Sequence, residues 1–129
     1  MIRAGVVVSI SLGNHNRKII LHTPSVVRNS ESLNLPTIRD LVSTVRQREG
    51  VAAAVVLGRD GLLIDGQGAA GIDTEGLAAM VPAVLTASEE LGEQAGGKSL
   101  ATCVLEYAGR IIIICSLTSD AILLVVASE

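Results

Sequence analysis

From Gly76 to Ser88 the sequence reads GLAAMVPAVLTAS, helical in the spacing of its apolar residues yet without one charged side chain. A surface helix normally carries an apolar stripe and a charged back, so a helix apolar all the way round must be covered on more than one side. The chain's own sheet can supply one cover. In 129 residues there is room for one core and no second, which leaves another protein molecule as the remaining cover. This segment therefore constrains the chain to fold as part of an assembly.

The core has to be aliphatic. The chain has no Trp or Phe and one Tyr, Tyr107, so Val, Ile, Leu and Ala fill the interior and no aromatic cluster exists to stack on bases. A formal net charge of −3 argues against nucleic acid as the partner. Cys103 and Cys115 sit in apolar segments and form neither a disulfide framework nor a zinc set; they read as buried free thiols of a cytoplasmic protein. The opening MIRAGVVVSISLG lacks a small-x-small cleavage site, and its Val6, Val8, Ile10, Leu12 alternation reads as a strand rather than a signal peptide. No run approaches the ~20 apolar residues of a membrane span.

Residues 4–12 and 17–22 are strand-like runs around the turn-rich Gly13-Asn14-His15-Asn16 and can form a hairpin, and 23–35 are polar and irregular. Thr37 and Asp40 fit a capping box for an amphipathic helix to about Glu49, which Gly50 ends. Residues 51–57, VAAAVVL, are apolar at every position, as in a strand covered on both faces. After a turn at Arg59-Asp60-Gly61, LLID returns as a shorter strand, and a Gly-rich loop (Gly66, Gly68, Gly71) leads to Asp73, the expected N-cap of the uncharged helix. That helix is expected to reach about Glu93, with Pro82 inside it. Strands at 100–107, 110–117 and 121–127 complete the chain. Composition places VAAAVVL, IIIIC and AILLVVA inside the sheet and LLID and LATCVLEY at its edges.

The order helix, hairpin, long helix, three-strand meander, with RDGLLID, TEGLAAMVPAV, LEYAGRIIII and DAILLVVAS at the matching places, resembles the roadblock/dynein light-chain family over about Pro36 to Ser128. The resemblance implies an α/β (α+β) fold, a five-stranded antiparallel-rich sheet sandwiched between helices. Residues 36–129 are then a roadblock-like domain lacking the final helix that members commonly carry, and residues 1–35 are an N-terminal extension, a possible hairpin plus linker. It also implies a non-catalytic dimerising scaffold of the bacterial GTPase-regulator type. In such a scaffold the long helix pairs with its copy, the strand 100–107 joins its copy in a continuous sheet, and the double module binds a small Ras-like GTPase.

The expected dimer interface is the small-residue stripe Gly76, Ala79, Ala83 and Ala87 with Met80, flanked by the larger Leu77, Val81, Val84 and Leu85, together with Cys103 and Leu105 on the joining strand. The second copy is identical or a roadblock-like relative. Glu89, Glu90 and Glu93 oppose the dipole at the helix C-terminus, so a partner's basic patch offsets that cost there; they are the expected GTPase contacts, with one GTPase over the helix layer of each dimer. Gly92 to Ser99 fits the phosphate-binding pattern G-x-x-x-x-G-K-[ST], but a helix precedes it and a strand follows, the reverse of what aims a positive helix end at a phosphate. It reads as a Gly-rich helix exit, leaving no cofactor, metal or catalytic set; His15 and His22 read as surface or loop residues. The rival reading is a small-molecule sensory module, for which few polar residues converge beyond Thr86, Thr102 and Ser116; an enclosed apolar cavity of several hundred Å³ favours it.

Overall fold

The computed structural model describes residues 6–12, 15–21 and 37–128. The chain divides into two compact units, Met1–Leu41 and Val42–Glu129. In the first, β1 (Val6–Leu12) and β2 (His15–Leu21) form an antiparallel hairpin, with Val6 opposite Leu21 and Leu12 opposite His15. The irregular reading of 23–35, and that of His22, lies outside the described residues.

Helix α1 spans Ile38–Arg46 and opens on the expected reciprocal cap: the Asp40 carboxylate accepts from the Thr37 N–H at 3.0 Å and the Thr37 hydroxyl from the Asp40 N–H at 3.2 Å. It ends at Arg46, three residues before the expected Glu49. The Arg46 guanidinium donates to the Val51 carbonyl at 2.7 Å, and the Val51 N–H bonds back to Arg48, so the chain turns into the sheet before Gly50, which sits at φ +82.

The second unit is built on an antiparallel sheet of order β4-β3-β7-β6-β5, formed by β3 (Val51–Gly58), β4 (Leu63–Gly68), β5 (Thr102–Tyr107), β6 (Arg110–Ser116) and β7 (Ala121–Ser128). The strands apolar on both sides, β3, β7 and β6, are central, and the mixed strands β4 and β5 are the edges, as their composition requires. All of 51–57 and 121–127 is buried. Val55, Leu57, Ile114, Ile122 and Leu124 pack with Ala78 and Val81 of α2 (Thr74–Gln94), while Val56, Ile113, Leu123 and Val125 are buried on the opposite face, where Gln67 donates to the α1 hydroxyl of Ser43 at 2.8 Å.

One expected loop is strand. β4 runs through Gly66 and Gly68, which pair with Val55 and Ala53 on the side facing α2. A Cβ at either would meet Thr74 at 3.2–3.3 Å, so glycine lets the helix N-terminus lie directly on the edge strand.

Candidate functional site

Helix α2 starts where Asp73 caps it, its carboxylate accepting from the Gly76 N–H at 3.0 Å, and it runs unbroken through Pro82. Its rotation about its own axis is set at two places. On one flank Pro82 meets the β3–β4 turn: Gly61, buried at φ +86, comes so close that a Cβ there would lie 3.0 Å from the proline Cγ. On the other flank the Ser88 hydroxyl lies 3.7 Å from the thiol of Cys103 on edge strand β5. Between them Ala78 and Val81 face the core, with Leu77, Val84 and Leu85 partly buried against it.

With each residue turning ~100° about the axis, the positions that follow Ser88 outward, on the side away from the β3–β4 turn, are Leu77, Val84, Leu91, Met80 and Ala87, then Gly76 and, at the crest, Ala83. This flank lies on the β5 side. Met80 is 65 % and Leu91 72 % exposed, and Ala83 and Ala87 between them are exposed too. Of the expected stripe Met80, Ala83 and Ala87 are exposed and Gly76 partly so, with Ala83 at the crest of the helix and Ala79, also exposed, just beyond it. Leu77, Val81, Val84 and Leu85 pack wholly or partly against the chain's own sheet, because the core-facing side of an all-apolar helix cannot be told from the free side by period alone. Leu91 was not among the expected contacts. It lies in the Glu-rich end, but its spacing from Met80 and Ala87 was the signal.

Cys103 and Leu105 point toward α2, Cys103 buried and Leu105 partly so, leaving Thr102, Val104 and Glu106 on the other face of β5. What this strand offers a neighbour is its open backbone edge. Burial pushes the Cys115 thiol above its ordinary range, which keeps it unreactive.

Glu89 and Glu93 lie on the flank toward the β3–β4 turn and Glu90 near the crest. All three are exposed and make no ion pair or hydrogen bond among the described residues. Glu89 and Glu93 border an open cleft of about 490 Å³ with Arg59, Lys98, Ser99, Leu100 and Ser116. Arg59 is tethered there, donating to the Ser119 carbonyl and to the Ser116 hydroxyl. The lining is largely charged and polar, and the neighbouring cavity beneath Leu85 and Ile114 holds only about 20 Å³, so neither is the enclosed apolar chamber a sensory module needs. The Gly92–Ser99 loop leaves a helix C-terminus, closed by the Gly97 N–H on the Gly92 carbonyl at 2.8 Å, and leads into β5. No described helix is long and apolar enough to cross a membrane.

With this geometry in place, comparison with known proteins is informative. The family model described as Roadblock/LC7 domain matches residues 37–127. A Roadblock/LC7 domain of Streptomyces avermitilis aligns at TM-score 0.60 and 22 % identity over 67 % of this chain and 74 % of that one. MglB of Thermus thermophilus aligns at TM-score 0.60 and 17 % identity over 68 % of each chain. Myxococcus xanthus MglB aligns at 0.55 and 21 %, over 61 % of this chain and 65 % of its own. At these identities the likeness is one of fold. No curated protein matches by sequence.

Proposed function

The chain belongs to the Roadblock/LC7 domain family, and from that premise we propose that it is a non-catalytic, dimeric, cytoplasmic scaffold that binds and regulates a small Ras-like GTPase. The observation that carries this reading is a pair of unfinished surfaces, the exposed apolar flank of α2 and the open edge of β5, joined where Ser88 of the helix meets Cys103 of the strand. A lone apolar flank has many uses. A flank tied by Ser88 to an unpaired strand edge suits a neighbour that adds both a strand and a helix, as a second module of the same fold would. In this reading residues 36–129 are the working module and 1–35 an extension to it.

The family resemblance supplies the GTPase, and the fold neighbours include MglB, named a gliding protein in one case and described with a tetrameric arrangement in another. In a dimer made through the β5 side, the hairpin flank with Glu89 and Glu93 stays open, and Glu90 lies at the crest. Those carboxylates, without an ion pair or hydrogen bond among the described residues, are suited to a basic patch on the GTPase. Sedimentation of the full chain at micromolar concentration tests the dimer, and a monomer there ends the proposal. Binding of candidate GTPases, captured from the source cell and compared between the native chain and a Glu89→Lys, Glu90→Lys, Glu93→Lys variant at low salt, tests the partner site. Equal affinity for both moves the site to another face.

A further inference from the structure

We propose that the open cleft at the C-terminal end of α2 is a docking groove for an extended protein segment with basic side chains at alternate positions and an acidic one between them. The proposal rests on the reading of Glu89 and Glu93 as partner contacts and adds what else the partner must present. Acids and bases share this cleft of about 490 Å³: Glu89 and Glu93 from the helix, Arg59 from the β3–β4 turn and Lys98 from the loop into β5. None of the four forms an ion pair among the described residues. Arg59 is kept from the glutamates by its tether, Nε donating to the Ser119 carbonyl and Nη2 to the Ser116 hydroxyl at 3.2 Å. Both N–H groups of Nη1 remain without a partner among the described residues. A guanidinium fixed in this way is already ordered, so a carboxylate that meets it gains charge-assisted bonds with little further loss of freedom.

The backbone of the third wall sets the kind of molecule that fits. Residues 97–101 have left the helix and not yet joined the sheet. Lys98, Ser99 and Leu100 line the cleft, and their N–H and C=O groups make no hydrogen bond among the described residues. Open backbone beside a groove is what an extended chain pairs with, whereas a small molecule is held by enclosure that this cleft does not provide. Spacing sets the pattern of charge. Four residues of helix place Glu89 and Glu93 ~6 Å apart along the axis, and alternate residues of an extended segment lie ~6.6 Å apart on one side. Lys or Arg at i and i+2 therefore meets both glutamates, and the side chain between them turns the other way, where an acid answers Arg59 and Lys98. Simpler partners are disfavoured. A wholly basic segment also brings its charge against Arg59 and Lys98, and a wholly acidic one against the glutamates.

The test is titration of the isotope-labelled full chain with blocked peptides at low salt, followed by NMR: Ala-Lys-Glu-Lys-Ala, Ala-Lys-Ala-Lys-Ala and Ala-Glu-Ala-Glu-Ala. The mixed peptide should shift the amides of Lys98, Ser99 and Leu100 and bind about threefold more tightly than either single-sign peptide, the scale of one exposed ion pair. Lys98→Glu should weaken the mixed peptide and strengthen the Lys-only one. Lys98 is exposed and makes no bond among the described residues, so this substitution should leave the fold intact. Arg59→Gln should weaken the mixed peptide too; should it loosen the turns that Arg59 ties, the Lys98 variant carries the test. Equal affinity for the mixed and Lys-only peptides, shifts confined to other residues, or no binding overturns the proposal. The Glu89→Lys, Glu93→Lys variant separates the two levels. If the Lys-only peptide binds the native chain as well as the mixed one and is lost in this variant, the acidic contact stands and only the mixed groove falls. If the variant binds both peptides unchanged, the partner role of the glutamates falls with it.

Discussion

The two edges of the sheet differ in how their backbones are finished rather than in how apolar they are. Leu62 and Ile64 at the β4 edge are 69 % and 50 % exposed, as open as Val104 and Tyr107 on β5, so exposed hydrophobicity does not distinguish them. β4 is blunted. Its register shifts at Val56/Leu57, two of its residues are glycine, and Asp65 lies with Gln67 on the face opposite α2, its Oδ2 buried and unpartnered among the described residues. Those are the devices by which sheets discourage further pairing. The tip of its hairpin is also spent internally, with Gly61 against Pro82. β5 has none of these features: six residues, TCVLEY, pair with β6 in unbroken register, without glycine, proline or lysine. Its Cys103 meets Ser88 of α2, whose flank from Met80 through Ala87 to Leu91 carries no charge. One edge is built to end the sheet and the other is left fit to continue it.

The sharpest way to break this comparison is a charge in the α2 flank. Ala83→Glu should abolish the dimer, because an unpaired carboxylate buried in an apolar seam costs at least ~3 kcal/mol, while Ile64→Glu at the β4 edge should leave the oligomeric state unchanged; sedimentation equilibrium of both variants decides it. If Ile64→Glu also dissociates the dimer, β4 is an assembling edge and the contrast is wrong.

A second substitution separates internal from external roles. Gly61→Val introduces a β-branched residue at φ +86 and crowds Pro82, so it should destabilise folding by ~1–3 kcal/mol in denaturant titrations, with dimer affinity of the folded fraction little altered. On β5 the smaller perturbation Val104→Lys places like charges near one another across the proposed strand junction, and should cost ~0.2–1 kcal/mol of dimer affinity. The measurement is the same dissociation constant, and improvement rather than loss would argue that the strands do not meet. The smallest effect belongs to the hairpin flank: Glu89→Lys with Glu93→Lys should slow GTPase association a few-fold at low salt and fade at high salt, leaving the dimer intact. Stopped-flow association at two ionic strengths reads it directly.

Much of this fold was legible because burial on both faces leaves an unmistakable mark. VAAAVVL and AILLVVA can be nothing but central strands, and LLID and LATCVLEY, each with a polar or charged break, had to lie outside them. Caps were legible for a similar reason: Thr37 with Asp40, and Asp73, satisfy backbone donors that lie within three residues of them. The Gly66–Gly68 stretch was not. Its glycines look like loop residues until α2 is laid over them, and the need for a missing side chain arises only from that contact.

By itself, then, the sequence determined that α2 has no charged face along Gly76–Ser88, since that depends on composition alone and composition is local. It did not determine which flank is which. An apolar helix fits a sheet at any rotation that its period allows, so Leu77, Val81 and Leu85 could not be separated from Met80, Ala87 and Leu91 along the chain. Only the tertiary contacts of Pro82 with Gly61 and of Ser88 with Cys103 turned one set inward and left the other exposed, because a helix's rotation is decided by what touches its two sides.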